Sequence, residues 1–198
     1  MPLRGDATRW GSVAKLLHWT MAVGILATGV LGWWMVGLET SMAKIKVFAL
    51  HKSIGLTLLA LFLLRLLWRA VDRAPRELPA PRWQQSAARA VHGVLYLLIA
   101  VLPLSGWLFN SLSGYPLQWF KLLNLPALSG KHPGFAPFMR EVHEYLFWTL
   151  LLVLVMHAGA ALKHHWVDRD DVLRRMWPLA RPRHGPGAEV THSEGDQP

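Results

Sequence analysis

An all-α fold, an integral membrane four-helix bundle, is predicted by three observations. Four apolar segments recur along the 198 residues, each about as long as a bilayer crossing requires. The chain is 53% hydrophobic with 11 Trp and only 17% charged residues, a balance ordinary for a small membrane protein and unusual for a soluble domain. Most of the charge falls between the segments or at their ends. Regular apolar spans of this length must be helices, because lipid offers backbone N–H and C=O groups no partner.

The first span, predicted over 15–38, is uncharged from Trp19 to Leu38. It is long enough for a hydrocarbon core of ~30 Å, which takes ~20 residues. Arg4, Arg9 and Lys15 precede it as in a signal peptide, but the run is too long for a cleaved segment, so a retained helix is expected. The second span, 47–69, carries Lys52 and Arg65 near its ends. The third, 88–110, leads into a stretch with no charge up to Phe120, and Pro103 and Gly106 mark a kink or an end. The fourth, 141–164, is apolar from about Val142 to Leu162.

The connection from Arg69 to Arg82 is rich in Pro and Arg and reads as a short surface loop. The connection from Leu112 to Met139 is longer and holds Pro116, Pro126, Pro133 and Pro137. Within it, LQWFKLLNL (Leu117–Leu125) is expected to form a short interfacial helix with Trp119 and Phe120 at headgroup depth. One bundle domain over 1–178 is expected, with 179–198, rich in Pro, Gly and Arg, as a disordered cytoplasmic tail.

Charge sets the orientation. Lys and Arg number three before the first span, six in Arg65–Arg89 and six from Lys163 onward, fifteen in all, against six in the other two connections. The N-terminus, the middle loop and the C-terminus are therefore predicted to face the cytoplasm. The net charge of +9 reads as this topology signal plus lipid-headgroup contacts, not as nucleic-acid binding.

Four histidines lie within the ends of the spans: His18, His51, His143 and His157. Ionisable residues in a membrane are costly and point to function. With the first and third helices running outward, His18 and His157 fall toward the cytoplasmic side, and His51 and His143 toward the outer side. His143 and His157 are 157 − 143 = 14 residues apart. That is ~21 Å along a helix and within ~40° of the same face, so the fourth helix offers one ligand near each membrane surface. Depth then pairs His157 with His18 inside and His143 with His51 outside.

The chain has no Cys. That excludes thiolate zinc sites, Cys-ligated iron–sulfur clusters and covalently attached c-type haem. Zinc sites need three or four converging ligands. Two histidines at each of two levels fit non-covalent haem b with histidine on both faces, two such haems being stacked between the helices.

Arg65 lies 14 residues after His51, near the same face and at the inner level. It either pairs with a propionate of the inner haem or snorkels to headgroups with Arg69 and Arg73. His92, near the inner start of the third helix, lies at the interface or hydrogen-bonds a quinone, for which Arg69 and Trp68 are further candidates. His164 and His165 are expected to be solvated, and His132, His184 and His192 lie in connections or tail. The outer connections carry Lys44, Lys46, Lys52, Lys121, Lys131 and Arg140 against Glu39, Glu141 and Glu144, a net +3. Such a field steers anions. Lys52 and Arg140, beside the outer histidines, are the candidate steering residues.

Several pieces, LLHW (Leu16–Trp19), HKSIG (His51–Gly55), LRLLWR (Leu64–Arg69), VHGVLYLLI (Val91–Ile99), LPLSGW (Leu102–Trp107), SGYPLQWFKL (Ser113–Leu122), VHEYL (Val142–Leu146) and MHAGAALKHH (Met156–His165), occur in an order and spacing that resembles the bacterial cytochrome b561 family. The resemblance runs from about Arg9 to Pro178. It implies a multi-pass inner-membrane protein with two b-type haems, ligated at positions that map onto His18, His51, His143 and His157. It also implies a link to quinone, and in some members oxidation of superoxide at the outer face with ubiquinone as acceptor.

Haem iron with both axial sites filled suits outer-sphere electron transfer rather than oxygen binding. The leading expectation is a transmembrane cytochrome b moving electrons from a small outer donor, superoxide foremost, or a redox partner protein, to ubiquinone. The alternative is a di-haem membrane-anchor subunit of a larger dehydrogenase or hydrogenase. A haem-free transporter or metal-binding membrane protein is the third reading.

Overall fold

A computed structural model describes residues 2–179; the predicted tail, apart from Leu179, lies outside the described residues. Four long helices account for most of them: α1 (Ser12–Val36), α2 (Met42–Val71), α3 (Arg82–Leu112) and α4 (Ala136–Lys163). A two-stranded hairpin, β1 (Leu117–Trp119) and β2 (Leu123–Leu125), interrupts the α3–α4 connection. A π-helical turn, His164–Asp168, and the short α5 (Val172–Met176) follow α4.

All four long helices are long and apolar enough to cross a membrane. Their apolar residues mostly face outward: only 6% of the most apolar window of the fourth is buried within the protein. Trp33, Val30, Leu67, Leu97 and Leu152 are all more than half exposed, as lipid-facing residues are, and the interior is left to a thin core of Leu95, Leu98 and Leu150.

Local chemistry sets the ends. The Ser41 hydroxyl caps α2 by accepting from the Lys44 N–H at 3.3 Å, and Asp72 ends it in extended backbone. Pro81 precedes α3, where its fixed φ suits a helix entry, and Gly114 beyond its end takes the left-handed conformation (φ 75°). Pro103 neither ends nor interrupts α3, which runs on to Leu112. Packed spanning helices tolerate proline because neighbours satisfy the groups it frees.

The segment Leu117–Leu125 is not the interfacial helix that its apolar residues imply. It is an antiparallel hairpin with Trp119 opposite Leu123. Phe120 and Lys121 both have positive φ, as a tight hairpin turn requires. Tertiary bonds hold it on α2: the Phe120 N–H donates to Ser53 Oγ at 3.0 Å and the Trp119 indole to Thr57 Oγ1 at 3.0 Å.

At the opposite end the described N-terminal residues fold back over the bundle. The Gly5 N–H donates to Asp72 Oδ1 at 2.8 Å, Lys15 Nζ to the Trp177 carbonyl at 3.1 Å and the Trp19 indole to the Met176 carbonyl at 3.0 Å. Asp6 organises this strap. Hydrogen bonds from the Thr8 hydroxyl (2.6 Å) and the N–H groups of Thr8 and Arg9 hold its carboxyl at about 2, below the ordinary 3.8.

Candidate functional site

The interior is organised in levels that repeat along every helix. On α1, His18 is followed 14 residues later by Gly32; on α2, His51 by Arg65; on α3, His92 by Gly106; on α4, His143 by His157. Fourteen residues are nearly four turns, ~21 Å of rise. One level, toward the described chain termini, thus collects His18, Arg65, His92 and His157. The other, toward the β-hairpin, collects Gly32, His51, Gly106 and His143.

At the hairpin level the His51 and His143 rings face each other with centroids 6.3 Å apart and planes at 83°. Both rings rest on glycines. A Cβ on Gly32 would stand 2.9 Å from Cε1 of His51, and one on Gly106 would stand 2.9 Å from Cε1 of His143. Any side chain at either place would push on a ring. The His143 Nδ1 lies 3.0 Å from the Leu102 carbonyl and 2.9 Å from Ser105 Oγ. The Nδ1 of His51 is buried with no hydrogen-bond partner.

At the terminal level the His18 and His157 rings also have centroids 6.3 Å apart, with planes at 69°. His92 lies closer to His157, at 5.3 Å. Arg65 is near enough to act electrostatically on all three imidazoles, and its Nη1 is buried without a partner.

A cavity of about 950 Å³ runs between the helices at the hairpin level. His51, His143, Gly32 and Gly55 line it, with Lys44, Arg140 and Glu144 nearer its rim. A Cβ on Gly55 would meet nothing within 4 Å. Midway between the levels, seven residues after the first member of each pair, stand Ile25, Leu58, Ile99 and Leu150. All four line the same cavity, and Leu150 is 1% exposed. They form an apolar floor between the two levels.

These features define what fits. Metal–imidazole bonds of ~2 Å place the ring centres of two trans ligands ~6 Å apart, and both pairs match that spacing. The His92–His157 distance is too short for it. A flat macrocycle needs glycine-lined space beside its ligands, and its carboxylates need a cation. At the hairpin level the glycines and the cavity supply the space, and at the terminal level the unpartnered Arg65 supplies the cation, so the residues present fit haem b.

The other candidates take different places. Lys52 Nζ donates to Asn110 Oδ1 at 3.0 Å and to the Pro116 carbonyl at 3.4 Å, tying α2 to the end of α3. Arg140 lies exposed at the cavity rim. Arg69 stacks over the Trp10 ring at 5.0 Å, and the Trp68 indole N–H is buried without a partner. His164, expected to be solvated, is half-buried and holds Asp170 Oδ2 at 2.6 Å and Asp168 Oδ2 at 3.1 Å, while Lys163 also binds Asp168 at 2.7 Å. The turn after α4 draws these ionic side chains onto one another.

The family model described as Prokaryotic cytochrome b561 matches residues 9–179. The chain is 36% identical over 178 residues to Cytochrome b561 homolog 2 of Escherichia coli (strain K12), covering 89% of this chain and 95% of that protein. It is 28% identical over 176 residues to Cytochrome b561 homolog 1 of the same organism, covering 86% and 97%. It is 31% identical over 133 residues to the Probable superoxide oxidase CybB of Yersinia pestis, covering 67% and 75%.

Proposed function

The chain belongs to the prokaryotic cytochrome b561 family, and from that premise we propose that it carries two bis-histidine haems and moves electrons across the membrane, from superoxide at the outer face to ubiquinone. The coarse role, membrane electron transfer with haem b, comes with the family. The observation that carries the rest is the repeated 6.3 Å separation of two histidine pairs on different levels.

In this reading the terminal end faces the cytoplasm, as the distribution of Lys and Arg favours. His18 and His157 hold the inner haem, and His51 and His143 the outer one. When bound, each haem would supply a one-electron carrier, held by its histidine pair. The protein does the remainder. Gly32 and Gly106 admit the outer imidazoles, Arg65 neutralises a carboxylate of the inner group, and Ile25, Leu58, Ile99 and Leu150 keep water from the space between levels.

Superoxide enters the proposal through the named relative from Yersinia pestis and the net +3 of the outer connections. Arg140, exposed at the rim of the cavity that reaches His51 and His143, is the cation that draws the anion in. Lys52, whose ammonium donates to Asn110 and to the Pro116 carbonyl, adds charge at the outer level. Two superoxide anions release one electron each and leave dioxygen; ubiquinone takes up two electrons and two protons to become quinol. His92, exposed at the terminal level, and the unpartnered Trp68 indole are the polar groups offered to quinone.

Stopped-flow mixing of the purified, haem-loaded protein with superoxide tests this. Rapid reduction, followed by reoxidation only when ubiquinone is added, is the expected result. Lack of reduction, together with co-purification of a large dehydrogenase or hydrogenase subunit, overturns it in favour of a membrane-anchor role.

A further inference from the structure

We propose that Ser105 is a positioning residue for His143, making it the stronger donor of the outer pair and lowering the potential of the outer haem. This rests on the haem reading above.

Ser105 is buried on α3, 6% exposed. Its hydroxyl donates to the Leu102 carbonyl at 2.7 Å, so its hydrogen is committed. What faces His143 Nδ1 at 2.9 Å is the oxygen lone pair. The Leu102 carbonyl, 3.0 Å from the same Nδ1, closes a triangle. Both groups are acceptors there, so the imidazole proton resides on Nδ1 and Nε2 is left as the ring's donor atom. A hydroxyl that itself donates is a better acceptor. A stronger Nδ1–H bond raises the electron density of the ring and favours oxidised iron.

The opposing ligand is supported less: no hydroxyl reaches it, and the Thr28 backbone lies near its ring without a well-formed hydrogen bond. The Nδ1 of His51 is buried without a partner, and its ring is located by contact with Gly32. The two faces of the outer site are thus unequal: His143 faces a hydroxyl and a carbonyl at hydrogen-bond distance, and His51 is fixed chiefly by packing.

The test is a spectroelectrochemical titration of the full-length, haem-loaded protein with Ser105→Ala, Ser105→Thr and His143→Ala. In Ser105→Ala one of two transitions moves to higher potential. At a fixed poise its reduced-to-oxidised ratio rises roughly five-fold, the scale of one hydrogen bond's net free energy. The other transition stays in place, and Ser105→Thr restores the first. Selective loss of the outer haem in Ser105→Ala, restored by Thr, supports the same role. Unchanged transitions in Ser105→Ala, or equal shifts of both, overturn it and leave the haem reading standing. A pigment-free wild type, or His143→Ala with full haem content, overturns both.

Discussion

Gly32 lies so close to His51 that a Cβ on it would stand 2.9 Å from the imidazole Cε1, and Gly106 repeats this relation with His143 at the same distance. Helices α1 and α3, which carry no histidine at this level, give up their side chains so that α2 and α4 can turn imidazoles inward. The two glycines are therefore part of the site although neither bears a functional group.

Gly32→Ala and Gly106→Ala are each expected to weaken retention of the outer haem by about tenfold, the scale at which changes next to metal ligands act. The inner haem should stay at full occupancy. Haem quantitation after dialysis against apomyoglobin checks this.

Arg65 brings an unpaired cation to three imidazoles. Replacing it with Leu should lower the inner haem's potential by roughly 60 mV, about a tenfold change in a one-electron equilibrium, and speed loss of that haem. Lys should recover part of the potential but not the planar pairing with a carboxylate. Redox titration of the two variants distinguishes these effects, and an unchanged inner potential in Arg65→Leu would favour the headgroup alternative for Arg65.

Leu150 closes the floor between the levels at 1% exposure. Leu150→Ala should cost about 3 kcal/mol of stability through the cavity it leaves, seen as a lower melting temperature in detergent, with both histidine pairs still able to ligate.

The strap at the terminal end is predicted to loosen in acid. The Asp6 carboxyl is held at about 2 in the folded chain, against an ordinary 3.8. A lowered folded value means that its contribution is complete above 3.8 and is lost as pH falls toward about 2. Protease access to the N-terminal strap should rise in that window, and Asp6→Asn should show elevated access at neutral pH with little further change in acid.

Much of this was legible in the chain. Uncharged apolar runs locate four helices because lipid permits no other spanning element. The 14-residue interval from His143 to His157 places them one above the other because helical geometry is fixed. The same interval from His18 to Gly32 and from His92 to Gly106 was equally readable. A glycine carries no chemistry of its own, so its role shows only once the ring it admits is seen. The hairpin was not legible. LQWFKLLNL fits a helix or a strand by apolar content, and the bonds that decide come from Ser53 and Thr57, more than sixty residues earlier in the chain. Ser105 was hidden likewise, since its bond to His143 crosses 38 positions.

Haem quantitation of the purified chain alongside His157→Ala and His51→Ala tests the central claim most directly. Two haem b per chain are predicted, with each variant retaining about one and the two reduced-minus-oxidised spectra summing to that of the wild type. A wild type without b-type pigment, or a single-histidine variant that keeps both haems, would contradict it.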